Sequence, residues 1–141
     1  MTVQLLFKGE YLCDVHRISG ARTEVAQALG RDGQVSRQRL IDFEIALGEL
    51  LQNIVRHEKC TQMPCHFSIE LTRSNFDLNV TVTDTCDLLE DVSFLDRERV
   101  ATENGGMGVR LIKNIVSKYT ISSDKRVNKH YLLFGDFLTP S

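Results

Sequence analysis

No run of apolar residues in this 141-residue chain approaches the ~20 that a helix needs to cross a bilayer. The N-terminus also lacks the charged-then-apolar pattern of a secretory signal. The expectation is a cytoplasmic protein with no membrane partner. Basic excess is missing as well: 17 Lys and Arg stand against 19 Asp and Glu, for a formal net charge of -2. Without a basic stripe there is no electrostatic footprint for nucleic acid, which leaves small molecules and proteins as partners. The 4 cysteines, Cys13, Cys60, Cys65 and Cys86, make no disulfide framework at this chain length and read as reduced thiols. His57, Cys60, Cys65 and His66 lie close together, but the absence of a C-x-x-C spacing excludes a zinc knuckle. No internal repeat, linker or low-complexity stretch interrupts the chain, so residues 1–141 read as one domain.

What is present alternates between strand and helix patterns. Val3 to Lys8 is an apolar-rich N-terminal strand. Ser19 is placed to cap a helix running to Leu29, with Val25, Ala28 and Leu29 on its apolar side and Gly30 as its stop. A longer helix follows Ser36. Its apolar residues Leu40, Phe43, Leu47, Leu50 and Ile54 recur at helical spacing, and Ile41, Leu51 and Val55 widen the stripe. On this mostly apolar cylinder Glu49 and Asn53 stand one turn apart, a polar ribbon better suited to lining a cleft than to facing solvent.

Two strands then alternate cleanly. Phe67, Ile69 and Leu71 share one face, Ser74-Asn75 turns the chain, and Phe76, Leu78, Val80 and Val82 form the next apolar face. Asp84 keeps that parity and so puts a carboxylate where a hydrophobe is expected, which demands hydrogen-bond donors. Residues Thr85 to Asn104 lose periodicity and read as a lid or binding loop. Gly105-Gly106-Met107-Gly108 then opens a helix with Val109, Ile112 and Val116 on one side. Glycines there let backbone N–H groups approach phosphate oxygens, and the helix dipole favours their charge. Thr120–Ser123 and His130–Leu138 close the chain as strands around an Asp124–Lys129 turn. An Asn oxygen near a phosphate suits Mg²⁺, which takes few protein ligands, and a Glu one turn away can accept a proton from an attacking hydroxyl.

The Glu-x-x-x-Asn in ALGELLQNIVRHEK, the Asp in VTVTDTCD and the segment GGMGVRLIKNI resemble the asparagine box and two glycine boxes of the GHKL ATP-binding superfamily. Within it, the short chain is similar to the anti-sigma factor serine/threonine kinases of bacterial partner-switching systems. That resemblance implies a Bergerat α/β sandwich, a mixed sheet covered on one face by helices. It implies ATP and Mg²⁺, with Asn53 holding the metal, Glu49 as the catalytic base and Asp84 taking the adenine amine. Gly105, Gly106 and Gly108 would close on the phosphates. The activity implied is phosphorylation of a serine on an antagonist protein of the STAS type, which controls release of a sigma factor from the kinase homodimer.

Two departures fall on the adenine side. The family's Asp-x-Gly is here Asp84-Thr85-Cys86, and its Gly-Thr before the last strand is replaced by Asn128-Lys129-His130-Tyr131. A β-carbon at Cys86 takes room that glycine leaves, so adenine binding is expected to be weaker or altered. This keeps a second reading in play, a GHKL-fold regulator that sequesters a partner with weak or no phosphotransfer. A histidine kinase catalytic domain fits less well, for want of a phospho-accepting hairpin and of room for that class's longer lid.

Overall fold

In a computed structural model the described residues are 2–31, 35–57, 65–85, 106–124 and 127–139. They form β1 (Val3–Leu12), α1 (Val15–Gly30), α2 (Arg37–His57), β2 (His66–Ser74), β3 (Asp77–Asp84), α3 (Gly106–Ile115), β4 (Lys118–Asp124) and β5 (Val127–Phe134). The strands make one five-stranded sheet in the order β1-β2-β3-β5-β4. Every pairing in it is antiparallel, which corrects the mixed sheet implied by the resemblance. The crossover through α3 does run β4 parallel to β3, but β5 lies between them and is antiparallel to both.

Alternation decides which face of the sheet is covered. Phe67, Ile69 and Leu71 of β2, Leu78, Val80 and Val82 of β3, and Leu132 of β5 are all 0% exposed. They meet Phe43, Leu47, Leu50 and Ile54 of α2, Val25 and Leu29 of α1, and Ile112 of α3 in a single core. The alternate residues Ser68, Thr72, Asn79, Thr81 and Thr83 are half-buried polar side chains on the other face. The result is two layers, with helices on one side only. In β1 a register shift between Leu5 and Phe7 exchanges the faces. Phe7 and Tyr11 pack against the core, whereas Val3 and Leu5 are 59% and 57% exposed.

The start of α1 differs from expectation, and α3 ends at Ile115, before Val116. α1 starts at Val15 because the Asp14 carboxylate caps it, accepting from His16 N at 2.9 Å with an extended Asp14 backbone. Ser19 lies inside the helix, and its carbonyl accepts from Thr23 Oγ1 at 3.0 Å. Ser36 caps α2 as expected, its Oγ accepting from Arg39 N at 3.2 Å. α2 extends through His57.

The strand ends moved too. Asn75 takes a left-handed backbone (φ 56) in the β2–β3 turn, a conformation its short polar side chain tolerates. Phe76 therefore belongs to the turn and is 44% exposed. Its carbonyl accepts from Phe137 N and Leu138 N at 2.8 and 2.9 Å, so the chain beyond β5 folds back there as a loop. β4 starts earlier than Thr120 and β5 earlier than His130, which shortens the intervening turn.

Removing the Phe43 ring, which is fully buried and 5.5 Å from the Phe134 ring centroid, should cost about 3–5 kcal/mol. Denaturant unfolding of Phe43→Ala measures it. Tyr11 donates to Glu24 Oε2 at 3.2 Å, and burial, then the neighbouring Glu24 charge, raise its pKa from 10.0 to about 12. A raised folded pKa adds stability that is complete below the unfolded value and is lost as pH climbs through the folded one. Thermal melts should therefore show a loss of stability between pH 10.0 and about 12 that is smaller in Tyr11→Phe.

Candidate functional site

Asp84 ends β3 on the helix-covered face, opposite Phe67 on one side and Asn128 on the other. It is 0% exposed, Asn128 is 0% and His130 is 2%. Such a carboxylate is tolerable in a core only when donors surround it, and the neighbouring strand supplies them. Asn128 Nδ2 donates to Asp84 Oδ1 at 2.9 Å. His130 Nε2 stands 2.9 Å from Asp84 Oδ2.

The outer ends of this network fix its polarity. Ser123 Oγ on β4 donates to Asn128 Oδ1 at 2.7 Å, which leaves the Asn128 amide nitrogen for the carboxylate. His130 Nε2 faces an acceptor and so carries its hydrogen. In the neutral ring Nδ1 is then an acceptor, 3.2 Å from the Tyr119 hydroxyl. Five side chains from three strands thus form one line of bonds, from Ser123 through Asn128, Asp84 and His130 to Tyr119.

The chain's two other candidate groups lie on α2 and α3. Glu49 and Asn53 are both half-buried on α2. The α1 side of α2 is marked by Leu40 and Glu44, which line a shallow groove with Thr23, Ala26 and Gln27 of α1. It is marked again at Gly48, where an added Cβ would stand 3.1 Å from Arg22 Nε. At about 100° per residue, Asn53 is roughly 180° round the helix from Glu44, and Glu49 roughly 140°. Both therefore lie on the flank turned away from α1. α3 also packs against α2, and its first residue is Gly106. Gly106 and Gly108 occupy the first turn of a ten-residue helix, where backbone N–H groups have no partner within the helix. Gly105, Cys86 and nearly all of the 85–104 segment lie outside the described residues, as do Cys60 and the side chain of His57.

ATP and Mg²⁺ are what the resemblance implies, and the donors present suit them unequally. The α3 N-terminus suits phosphate oxygens, and the Asn53 carboxamide suits a metal shared with them. Among the described residues no group of three or more His, Cys, Asp or Glu is placed to hold a metal ion by itself. At the adenine end each oxygen of Asp84 already accepts from one strand side chain and keeps a second lone pair. Asn128 and His130 were visible in the sequence only as a departure from a motif. Counting parity along a strand begun at Val127 brings both to the face of Asp84.

Among the described residues, an antiparallel five-stranded sheet covered on one face by three helices, the third led by glycine and packed against α2, makes an α+β fold of the GHKL, or Bergerat, type. Residues 13–132 match the family described as the histidine kinase-like ATPase domain, and the chain belongs to that family. Among solved structures, the chain is similar to the RsbU and RsbW domains of Rv1364c from Mycobacterium tuberculosis, at 12% identity with a TM-score of 0.67. That match covers 100% of this chain and 33% of the other. The histidine kinase domain of the Erythrobacter litoralis EL346 blue-light activated histidine kinase matches at 13% identity with a TM-score of 0.57, over 83% of this chain and 60% of that one. At such identities the likeness is one of fold. No curated protein matches the sequence.

Asp84→Ala should strand two buried donors and cost about 3 kcal/mol or more. His130→Ala should be costly as well, and the double variant should lose less than the sum of the two, with a coupling on the order of 0.5–3 kcal/mol. Urea unfolding of the four proteins in that cycle measures it; strict additivity would mean that the pair is not coupled.

Proposed function

We propose that this chain binds ATP with Mg²⁺ and phosphorylates a serine of a STAS-type antagonist protein, as an anti-sigma factor kinase of a partner-switching system. In this reading it acts as a homodimer that holds a sigma factor until the unphosphorylated antagonist displaces it. The observation that carries the reading is the half-buried pair Glu49 and Asn53, one turn apart on the α2 flank turned away from α1. Both side chains are half-buried on a helix that packs against α1 and α3, which suits them to line a cleft.

The roles follow from side-chain chemistry. Asn53 would hold Mg²⁺ through its one neutral side-chain oxygen, and the ion would supply positive charge to the phosphates. Glu49 accepts the proton of the serine hydroxyl as its oxygen takes the terminal phosphoryl group and ADP leaves. Gly105, Gly106 and Gly108 let the backbone come close to the phosphates. The RsbW domain named in the similar M. tuberculosis structure supports partner switching over the histidine kinase reading.

A second reading is favoured by one observation, the engagement of both Asp84 oxygens within the sheet. It is a regulator of the same fold that sequesters a sigma factor or other partner, with weak or absent transfer.

Transfer of labelled phosphate from ATP to an antagonist protein separates the two. Under the kinase reading, Glu49→Gln lowers the transfer rate by a factor on the order of 10²–10⁴ and leaves nucleotide affinity nearly unchanged. Partner capture that persists in the wild-type chain without any transfer favours the regulator.

A further inference from the structure

We propose that Cys13 and Cys65 form a reversible disulfide, a redox-sensitive modification site that ties the entry of α1 to the start of β2 and takes a low-molecular-weight disulfide as its oxidant. The proposal stands apart from the nucleotide-binding reading.

The sheet places the two residues opposite one another. β1 and β2 run antiparallel, with Tyr11 paired to Phe67 and Leu12 to His66. One step further along that register Cys13 meets Cys65, and the Cys13 amide donates to the Cys65 carbonyl at 3.0 Å. In an antiparallel ladder a hydrogen-bonded opposed pair holds its Cα atoms about 5.5 Å apart. That lies inside the span of about 4.4–6.8 Å that disulfides use. The faces agree as well. Tyr11 and Phe67 stack on the helix-covered side with ring centroids 5.4 Å apart. Side chains alternate along a strand, so residues two positions away return to that side. Cys13 packs against the core there, and Cys65 is 3% exposed.

Both residues carry thiols, and their unequal exposure sets the order of the chemistry. The half-buried Cys13 meets the oxidant first. Its thiolate attacks one sulfur of glutathione disulfide, and the other glutathione leaves as a thiolate. Cys65 then attacks the Cys13 sulfur of that mixed disulfide and displaces the second glutathione. Two electrons pass from the protein to the glutathione pair, and the two thiol protons go with them. In a reducing compartment such a bond is transient, formed under oxidant and released by thiol.

The bridge joins two structural junctions. Asp14, which caps α1, directly follows Cys13. His66, which directly follows Cys65, bonds Thr85 at the end of β3 twice. Its N–H donates to Thr85 Oγ1 at 2.9 Å, and its carbonyl accepts from Thr85 N at 3.0 Å. Oxidation therefore fastens the entry of α1 to the exit of β3.

Incubation of the folded full chain with glutathione disulfide, alkylation of the remaining thiols and tryptic mapping without reduction test this. The expected product joins peptide 9–17, which holds Cys13, to peptide 60–73, which holds Cys60 and Cys65. It should form in Cys60→Ser and Cys86→Ser as in the wild type, disappear in Cys65→Ala, and be released by dithiothreitol. Amide exchange in the first turn of α1 should slow in the bridged form and recover on reduction. Loss of the joined peptides in Cys60→Ser or Cys86→Ser overturns the proposal, as does a glutathione adduct that stays on Cys13 with no bridge. The Cys60→Ser result is decisive even where Cys65→Ala does not fold. Unchanged exchange in the bridged chain overturns the link to α1.

Discussion

The bond pair that joins Asp84 to Asn128 and His130 sets the register of half the sheet. β3 and β5 could slide past one another while keeping their backbone ladder, but a shift of one residue would turn Asp84 to the opposite face. Asn128 and His130 would lose that shared acceptor in a core that is otherwise Leu, Val, Ile, Phe and Ala. β4 is tied to the same line through Ser123 and Tyr119. A polar network of this kind adds little net stability over an apolar core, yet every alternative pairing leaves it unsatisfied. Its effect is to select one arrangement of three strands.

From that register the helical layer follows. With Val80, Val82, Leu132 and Phe134 on the covered face, α2 lays its stripe of Phe43, Leu47, Leu50 and Ile54 on the sheet. α1 closes one flank of α2 through Leu40, Glu44 and Gly48. The polar ribbon of Glu49 and Asn53 is left on the flank turned away from α1. The chain belongs to the histidine kinase-like ATPase domain family, and the proposed function would give that ribbon and the glycine-led α3 a common chemistry, the handling of a triphosphate and its metal.

Much of this was legible from periodicity. The α2 stripe, its Ser36 cap, the two alternating strands and the burial of Asp84 all follow from counting by 3.6 or by 2. The misplaced ends have local causes. Asp14 and Ser19 are both competent caps, and only the Asp14 contact with His16 N decides between them. Phe76 keeps the parity of its strand but is taken by the turn that Asn75 makes. An Asp124–Lys129 turn puts Asn128 in a loop, whereas it stands opposite Asp84 in the ladder, and His130 is on its strand but meets Asp84 only through the register. Side-chain partners across strands depend on register, and register is a tertiary property that no single strand's pattern contains.

A crystal structure of the chain with a non-hydrolysable ATP analogue and Mg²⁺ tests the account at its centre. The prediction is a triphosphate at the N-terminus of α3 and a metal on Asn53, with Asp84 still bonded to Asn128 and His130. A triphosphate bound away from α3, or a metal without Asn53 among its ligands, would contradict it.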